Sequence, residues 1–273
     1  MIRGDSQPSP PTLEAAIELR DGRRLAYSAI GAAGGHPVAY LHGAIGSPRW
    51  RTPDLDARVA SLGLRYVVVH RPGFSSSDPL PGRTVAAFAA DLSELADALG
   101  WERFSVLGVS AGAPYALGCA RALGERLAAA TAVSPLLPPS VARRGRGLPL
   151  RYTATLAAFS APGIGTAAAE AALRAFGLRG TTSPRAMIDD YLVCCRPWGF
   201  EVGDVRAPVE LWHARRDRLV PVDHARRLAA ELPRATLRLA PSGGHFFLRS
   251  YLPEILGPLA APGAARPPLR LAA

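Results

Sequence analysis

Residues 104–112 read FSVLGVSAG, and this stretch decides the fold. An apolar run, Phe104–Leu107, leads into a G-x-S-x-G motif, and Ala111–Leu123 has the pattern of a helix that stops at Gly124. A serine between a buried strand and a helix lies on a sharp turn that holds its hydroxyl outward, and small neighbours let the two elements approach. The stretch therefore predicts Ser110 as a nucleophile. The alternative is a glycine-rich turn whose serine has no chemical role.

Further apolar runs lie on both sides of this stretch. They cover Pro37–Leu41, Tyr66–Val69 and Ala128–Val133, and two further strands are predicted after residue 203, at Val209–Trp212 and Ala235–Leu239. Helical patterns alternate with them, and they cover Val85–Leu99 with Thr84 as N-cap, Val222–Leu232 and a last helix from Phe246 to about Leu256. Continuous apolar runs are typical of strands buried on both faces. We therefore predict an α/β fold with a mostly parallel, doubly wound sheet, preceded by a hairpin that turns at Asp21-Gly22.

The strand–helix alternation is interrupted between residues 136 and 203. This segment is rich in Ala, Arg, Gly and Pro, with helical patterns around Tyr152–Phe159 and Ala167–Phe176 and no strand pattern. We predict a core formed by residues 1–135 and 204–273, and a helical lid inserted at 136–203. The alternative is that the insertion only decorates the core.

Composition restricts the class of protein. The net charge is +10 and every basic residue is Arg, but the arginines are scattered outside residues 143–146, so we expect no nucleic-acid partner. Cys119, Cys194 and Cys195 make a poor disulfide framework, and the first residues lack a secretory apolar run. Proline and glycine interrupt the uncharged segment at 152–169. We expect a cytoplasmic protein without stable membrane insertion; its oligomeric state is open.

A serine nucleophile needs a neighbouring base, and chain position separates the six histidines. His245 lies between the last strand and the last helix, at the sheet edge where Ser110 also lies. We interpret His36 as a turn residue and His224 as a surface residue. His70 and His213 end strands and are candidates for structural histidines. We therefore predict His245 as the base; alone, it could be an ordinary loop residue.

The base needs a carboxylate that fixes its tautomer. Asp217 follows a strand and precedes a helix, so it lies at the same edge, whereas Asp204 precedes its strand and Asp223 begins a helix. The alternative for Asp217 is pairing with the neighbouring arginines. The order Ser, Asp, His is the one expected for a nucleophile elbow in this kind of sheet.

A turn after the first apolar strand supplies a further element. Leu41-His42-Gly43-Ala44 would let the N–H of Ala44 face a substrate oxygen, with the N–H of Ala111 as its partner. Such a pair forms an oxyanion hole. The alternative is a plain tight turn.

These motifs together resemble the α/β-hydrolase superfamily, in particular its lid-containing serine esterases, over almost the whole chain. Residues 71–78, RPGFSSSD, are similar to the family's R-P-G-F-G-x-S-D, and residues 217–221, DRLVP, to its D-x-x-V-P. One departure is Ser75, where the family often has Gly.

The resemblance implies hydrolysis of an ester or related acyl bond in a small to medium, largely apolar substrate, with no metal or organic cofactor. A pocket in the lid region would be lined by aromatic residues, namely Tyr152, Phe159, Phe176, Trp198 and Phe200. The same site could instead serve an acyltransferase, a lyase or a carbon–carbon bond hydrolase, or the chain could bind a ligand without catalysis. An arginine-driven nucleic-acid binder is the remaining alternative.

Overall fold

The computed structural model describes residues 14–44, 53–138, 141, 157–158, 161, 163–175 and 182–260. Eight strands form one sheet in the order β1-β2-β4-β3-β5-β6-β7-β8. They are β1 (Glu14–Glu18), β2 (Arg24–Gly31), β3 (His36–Leu41), β4 (Leu64–Val69), β5 (Phe104–Val109), β6 (Leu127–Val133), β7 (Val209–Ala214) and β8 (Ala235–Ala240). β1 and β2 form the predicted antiparallel hairpin, β2 also pairs antiparallel with β4, and all other pairs are parallel.

The helices of the described residues lie mostly on the two faces of this sheet. They are α1 (Pro53–Ser61), α2 (Phe88–Ala98), α3 (Gly112–Ala122), α4 (Ile164–Ala175), α5 (Pro184–Cys194), α6 (Val222–Glu231) and α7 (Leu252–Ala260), with 3₁₀ turns at Gly124–Arg126, Val202–Asp204 and Gly244–Tyr251. Successive side chains of a strand point to opposite faces. In β3, Leu41 packs in the cluster that contains α2 and α3, whereas Val38 packs in the cluster that contains α1 and α7. This doubly wound arrangement confirms the predicted fold class.

Parallel pairing brings the carboxyl ends of β3 to β8 to one edge of the sheet, and four of them carry the predicted site. β3, β5, β7 and β8 all run in the same direction, so the segments that follow them meet at their carboxyl ends. These segments begin at His42, Ser110, Arg215 and Pro241. The topology therefore assembles the sequence motifs at one place.

Two helix boundaries differ from the sequence prediction. α2 begins at Phe88, because residues 85–87 first form a turn whose Ala87 N–H donates to the Thr84 hydroxyl at 3.2 Å. The last helical segment begins earlier, as a 3₁₀ turn at Gly244, and ends later, at Ala260. Phe246 has φ −98° and ψ 22°, so the region is two helices and not one.

Two helices, α1 and α5, are not among the sequence predictions. The sequence nevertheless carries a start signal for α5, since Ser183 caps it through the Ala186 N–H and Pro184 occupies its first turn. α4 and α5 pack on each other through Ala169, Leu173, Met187 and Ile188. Both helices lie within the segment predicted as a lid, and the lid itself stays a prediction.

Some predictions fall outside the described residues. These are the segment that leads into β1, the basic residues 143–146 and most of the helical pattern at 152–159. Within the described part of the chain, the structure has no helix with the length and apolar character needed to cross a bilayer.

Candidate active site

Ser110 occupies the sharp turn between β5 and α3. Its φ of 54° lies in the left-handed region that residues with a side chain rarely adopt, and its N–H donates to Val133 O at 2.8 Å. The glycines of the motif make this turn possible: a Cβ built on Gly108 would lie 2.3 Å from Gly112 O. The backbone is therefore held in a strained form that presents the hydroxyl at the sheet edge.

His245 lies against this hydroxyl. Its Nε2 is 3.1 Å from Ser110 Oγ, and its Nδ1 is 2.7 Å from Asp217 Oδ2. Because a carboxylate only accepts hydrogen bonds, Nδ1 carries a proton in the neutral ring, and Nε2 is left to accept the serine proton. The loop that follows β8 brings His245 to Ser110 through a left-handed turn at Gly243, whose φ is 96°.

Asp217 has a side chain that is fully buried and accepts several hydrogen bonds. Besides His245, the N–H groups of Leu219 and Val220 donate to Oδ1 at 2.8 and 2.9 Å. Burial opposes ionisation, but the bonds from His245 and from these two N–H groups outweigh it and lower the pKa of Asp217 below 3.8. The carboxyl is therefore a carboxylate at neutral pH, bound to His245.

Ser134 also binds the Asp217 carboxylate, and it is not among the residues predicted from the sequence. It follows β6, has φ 48°, and its Oγ donates to Asp217 Oδ2 at 3.3 Å. A buried non-glycine residue in the left-handed region is a recurrent mark of functional sites. Its place at the end of a parallel strand was the signal available in the sequence.

The turn after β3 lies directly beside Ser110. A Cβ built on Gly43 would be 3.4 Å from Ser110 Cβ and 4.0 Å from its Oγ. Ala44 follows, and Ala111 is the N-cap of α3, where N–H groups lack intrahelical acceptors. The structure thus brings both predicted oxyanion residues next to Ser110; their role as donors stays a prediction.

The predicted aromatic pocket residues divide into two groups. Tyr152, Phe159 and Phe176 lie outside the described residues. Trp198 is buried, its Nε1–H donates to Cys194 O at 2.8 Å, and its ring contacts Phe200. Both rings pack into the core cluster of α2 and α3, and a role in substrate binding stays a prediction.

Two histidine interpretations were wrong. His224 is not a surface residue, since only 2% of it is exposed, and His36 begins β3, with its Nε2 2.9 Å from Ser105 Oγ. His213 is buried, its Nε2–H donates to Val220 O at 3.0 Å, and the same nitrogen lies 3.4 Å from Asp217 Oδ2; a structural role stays a prediction.

The departure at Ser75 leaves the backbone in a conformation that suits glycine. Ser75 has φ 52°, and its hydroxyl and that of Ser76 donate to the Glu14 carboxylate of β1. The loop therefore keeps the left-handed turn, and the added side chain ties it to the hairpin.

Protonation of His70 should make the fold sensitive to acid. Burial lowers the pKa of His70 from 6.5 to about 4, with its Nε2 3.0 Å from Ser28 Oγ. The unfolded chain therefore binds this proton between pH 6.5 and 4 and the folded chain does not. The contribution of neutral His70 to the free energy of unfolding is complete above pH 6.5. It is lost as the pH falls toward 4, by on the order of 3 kcal/mol.

The measurement is the free energy of unfolding in urea at several pH values. His70→Gln can keep a donor for Ser28 and does not titrate, so we expect its stability to fall by about 2 kcal/mol less than wild type between pH 7 and pH 4.5. Parallel curves for the two proteins would refute this assignment.

Comparisons with known proteins agree with this architecture. A sequence model of the alpha/beta hydrolase fold matches residues 36–194. RutD of Caulobacter sp. (strain K31), a candidate carbamate hydrolase, is 31% identical over 219 residues, which are 74% of this chain and 81% of that protein. A 2-hydroxy-6-oxononadienedioate/2-hydroxy-6-oxononatrienedioate hydrolase of Pseudomonas putida is 27% identical, over 84% of this chain and 88% of that protein.

The esterase EaEST of Exiguobacterium antarcticum has a similar fold, with a TM-score of 0.69, 20% identity and coverage of 88% of this chain and 97% of that one. The chain belongs to the α/β-hydrolase family.

Proposed function

We propose that this protein is a serine hydrolase that cleaves an ester or related acyl bond of a small to medium, largely apolar substrate. The observation that carries the proposal is the continuous contact from Asp217 through His245 to Ser110, at 2.7 and 3.1 Å. A serine hydroxyl is a weak nucleophile at neutral pH, and an oriented imidazole beside it is the arrangement that activates it.

The proposed reaction has two halves. Ser110 Oγ attacks the carbonyl carbon while its proton moves to His245 Nε2, and Asp217 stabilises the imidazolium. The oxyanion accepts hydrogen bonds from the N–H groups of Ala44 and Ala111. Collapse of the tetrahedral intermediate breaks the bond to the alcohol, which leaves with the proton from His245. Water then attacks the acyl-enzyme, again through His245, and the acid is released.

The surroundings of Ala44 support an apolar substrate. Ala44 packs against the cluster that joins α4 and α5, which includes Ala169, Leu173 and Met187. Phe246, next to the base, is 40% exposed, and its ring contacts His245 edge-on. Apolar walls around a few polar groups are typical of sites that bind small molecules.

A second candidate reaction is hydrolysis of a carbamate. It is supported by the 31% identity to RutD over most of both chains. The carbonyl of a carbamate can be attacked by the same serine, so the arrangement of Ser110, His245 and Asp217 does not distinguish the two substrates. The atom on the acyl side of the carbonyl does, since it is carbon in an ester and nitrogen in a carbamate.

A fluorophosphonate probe tests the nucleophile. We expect covalent labelling of wild type at Ser110 and of the matched control Ser61→Ala, whose serine is exposed on α1, and no labelling of Ser110→Ala. Circular dichroism would establish that all three proteins are folded. Equal absence of labelling in the three would contradict the proposal.

Turnover identifies the bond that is cleaved. We would compare p-nitrophenyl esters of graded chain length with p-nitrophenyl carbamates of the same alcohol. Faster ester turnover favours the esterase, and faster carbamate turnover favours the second candidate. Labelled protein that turns over neither would favour the acyltransferase, lyase or carbon–carbon hydrolase alternatives, whereas ligand binding unaffected by Ser110→Ala would favour a binding protein.

A further inference from the structure

An ion pair with both side chains fully buried lies under the turn that carries Gly43. Arg71 follows β4, and Asp190 is on α5, outside the sheet. Arg71 Nε and Nη2 donate to the two carboxylate oxygens at 3.1 and 2.6 Å, and the exposed fraction of each side chain is 0%. Such a two-pronged bond fixes the guanidinium plane, which a single contact would not.

The Asp190 carboxylate is itself held from other elements. Tyr115 of α3 donates its hydroxyl hydrogen to Oδ1 at 2.9 Å, and Arg83 Nη2 contacts the same oxygen at 3.3 Å. Burial would raise the pKa of Asp190, but Arg71 and then Arg83 lower it below its usual value. The carboxylate is therefore a charged, fixed anchor for Arg71.

The remaining nitrogen of Arg71 reaches the turn. Nη1 donates to the backbone carbonyl of His42, and the guanidinium also lies against the rings of Phe74 and Tyr115, 5.5 and 4.9 Å from their centroids. The planar group is thus restrained by four neighbours. Its contact with the turn is to the backbone and does not depend on the identity of residue 42.

The His42 side chain also restrains the next peptide group of the turn, the one between Gly43 and Ala44. Its Nδ1–H donates to Gly43 O at 2.8 Å, and burial, together with Arg71, lowers the pKa of His42 well below 6.5, so the ring is neutral. In a trans peptide the carbonyl and the N–H point in opposite directions. Binding Gly43 O to the His42 ring therefore turns the N–H of Ala44 away from His42.

We propose that Arg71 is a positioning residue, anchored by Asp190, that fixes residues 42–44 so that the Ala44 N–H meets the substrate oxygen beside Ser110. This inference rests on the proposed function, since it assigns a donor to the oxyanion. It also couples α5 to the reacting carbonyl. An oxyanion donor acts only when it is already oriented, and displacement by about 1 Å can cost on the order of 100-fold in rate.

Arg71→Lys is the first test. Lysine keeps the positive charge for Asp190 but lacks the planar fork. We expect kcat for a p-nitrophenyl ester to fall roughly 10- to 100-fold with KM changed less than about threefold, because the lost interaction belongs to the transition state. The matched control is Arg23→Lys, which alters the two-pronged ion pair between Arg23 and Asp91 of α2 and should leave kcat within about twofold.

A second pair of variants tests the His42 link without touching the ion pair. The side-chain amide of Asn can place an N–H where Nδ1–H lies, whereas Leu has no donor. We expect His42→Leu to lose kcat about as Arg71→Lys does and His42→Asn to recover most of it. Equal loss in both variants, or a change confined to thermal stability in all of them, would overturn the proposal.

The amide resonance of Ala44 gives a readout that does not require turnover. We expect its ¹⁵N–¹H position to shift in Arg71→Lys and His42→Leu but not in Arg23→Lys. If wild type is neither labelled nor active, the proposed function fails, and this resonance still decides whether Arg71 positions the turn. An unchanged resonance in both variants would refute the positioning role.

Discussion

Replacing Asp217 with Asn should lower kcat for ester hydrolysis about 10⁴-fold while the protein stays folded. The N–H groups of Leu219 and Val220 both point at Oδ1, so an amide at 217 would place its oxygen there. Its NH₂ group would then face His245 Nδ1, which must become an acceptor. The ring proton moves to Nε2, toward Ser110, and the base can no longer accept the serine proton.

The rate at pH 7 of purified protein with a p-nitrophenyl ester measures this effect. Ser110→Ala defines the residual rate without a nucleophile, and Asp223→Asn, an exposed change on α6, is the matched control and should leave kcat within about twofold. The double variant of Ser110 and Asp217 should be no slower than Ser110→Ala, because the residues act as a unit. A loss below tenfold in Asp217→Asn would show that this carboxylate does not set the tautomer.

Replacing Gly112 with Ala should destabilise the fold by more than about 3 kcal/mol or prevent folding. A Cβ at this position would lie 2.0 Å from Leu41 O and 2.6 Å from His42 O. Both are backbone atoms at the end of β3, a strand paired on both sides, so they cannot move without breaking the sheet. The clash also lies between the turn of Ser110 and the turn of Gly43.

Urea unfolding followed by circular dichroism measures this loss. Gly34→Ala is the matched control, because Gly34 lies in the turn between β2 and β3 and a Cβ there meets no atom within 4 Å other than its chain neighbours. That variant should be neutral or more stable by up to about 1 kcal/mol, since alanine restricts the unfolded chain more than glycine does. Similar stabilities for the two variants would contradict the close approach of α3 and β3.

The sheet could be predicted from the sequence because its strands are buried on both faces. Runs such as Tyr66–Val69 and Ala128–Val133 are continuous apolar segments, and each became a strand with nearly the predicted bounds. The boundaries of the helices were harder to predict from the sequence than those of the strands. The turn before α2 uses Thr84 as a cap one turn early. In α5, the charged residue Asp190 is buried among apolar residues, which hides the helical period.

The candidate site was predictable to the extent that its residues lie at strand ends. Ser110, Asp217 and His245 follow three parallel strands, and topology alone makes such positions converge. Ser134 has the same placement, but nothing in its neighbourhood marks it as a partner of Asp217. Its contact depends on a left-handed backbone angle that the sequence does not reveal.

The role of Asp190 could not be predicted from the sequence, for a different reason. Sequence patterns separate polar from apolar faces, and a buried carboxylate on a helix looks like any solvated one until its partner is known. The partner, Arg71, is 119 residues away along the chain. Only the three-dimensional arrangement shows that each charge is neutralised by the other.

The position of this carboxylate on α5 has a consequence for protein engineering. Exchanging α5 for a helix from another family member would vary the segment that is predicted to form the lid. A graft without an acidic residue at 190 would leave the Arg71 guanidinium uncompensated in the interior, at a cost of about 3–5 kcal/mol. Chimeras should therefore carry Asp190 with the new helix, or exchange Arg71 in the same step.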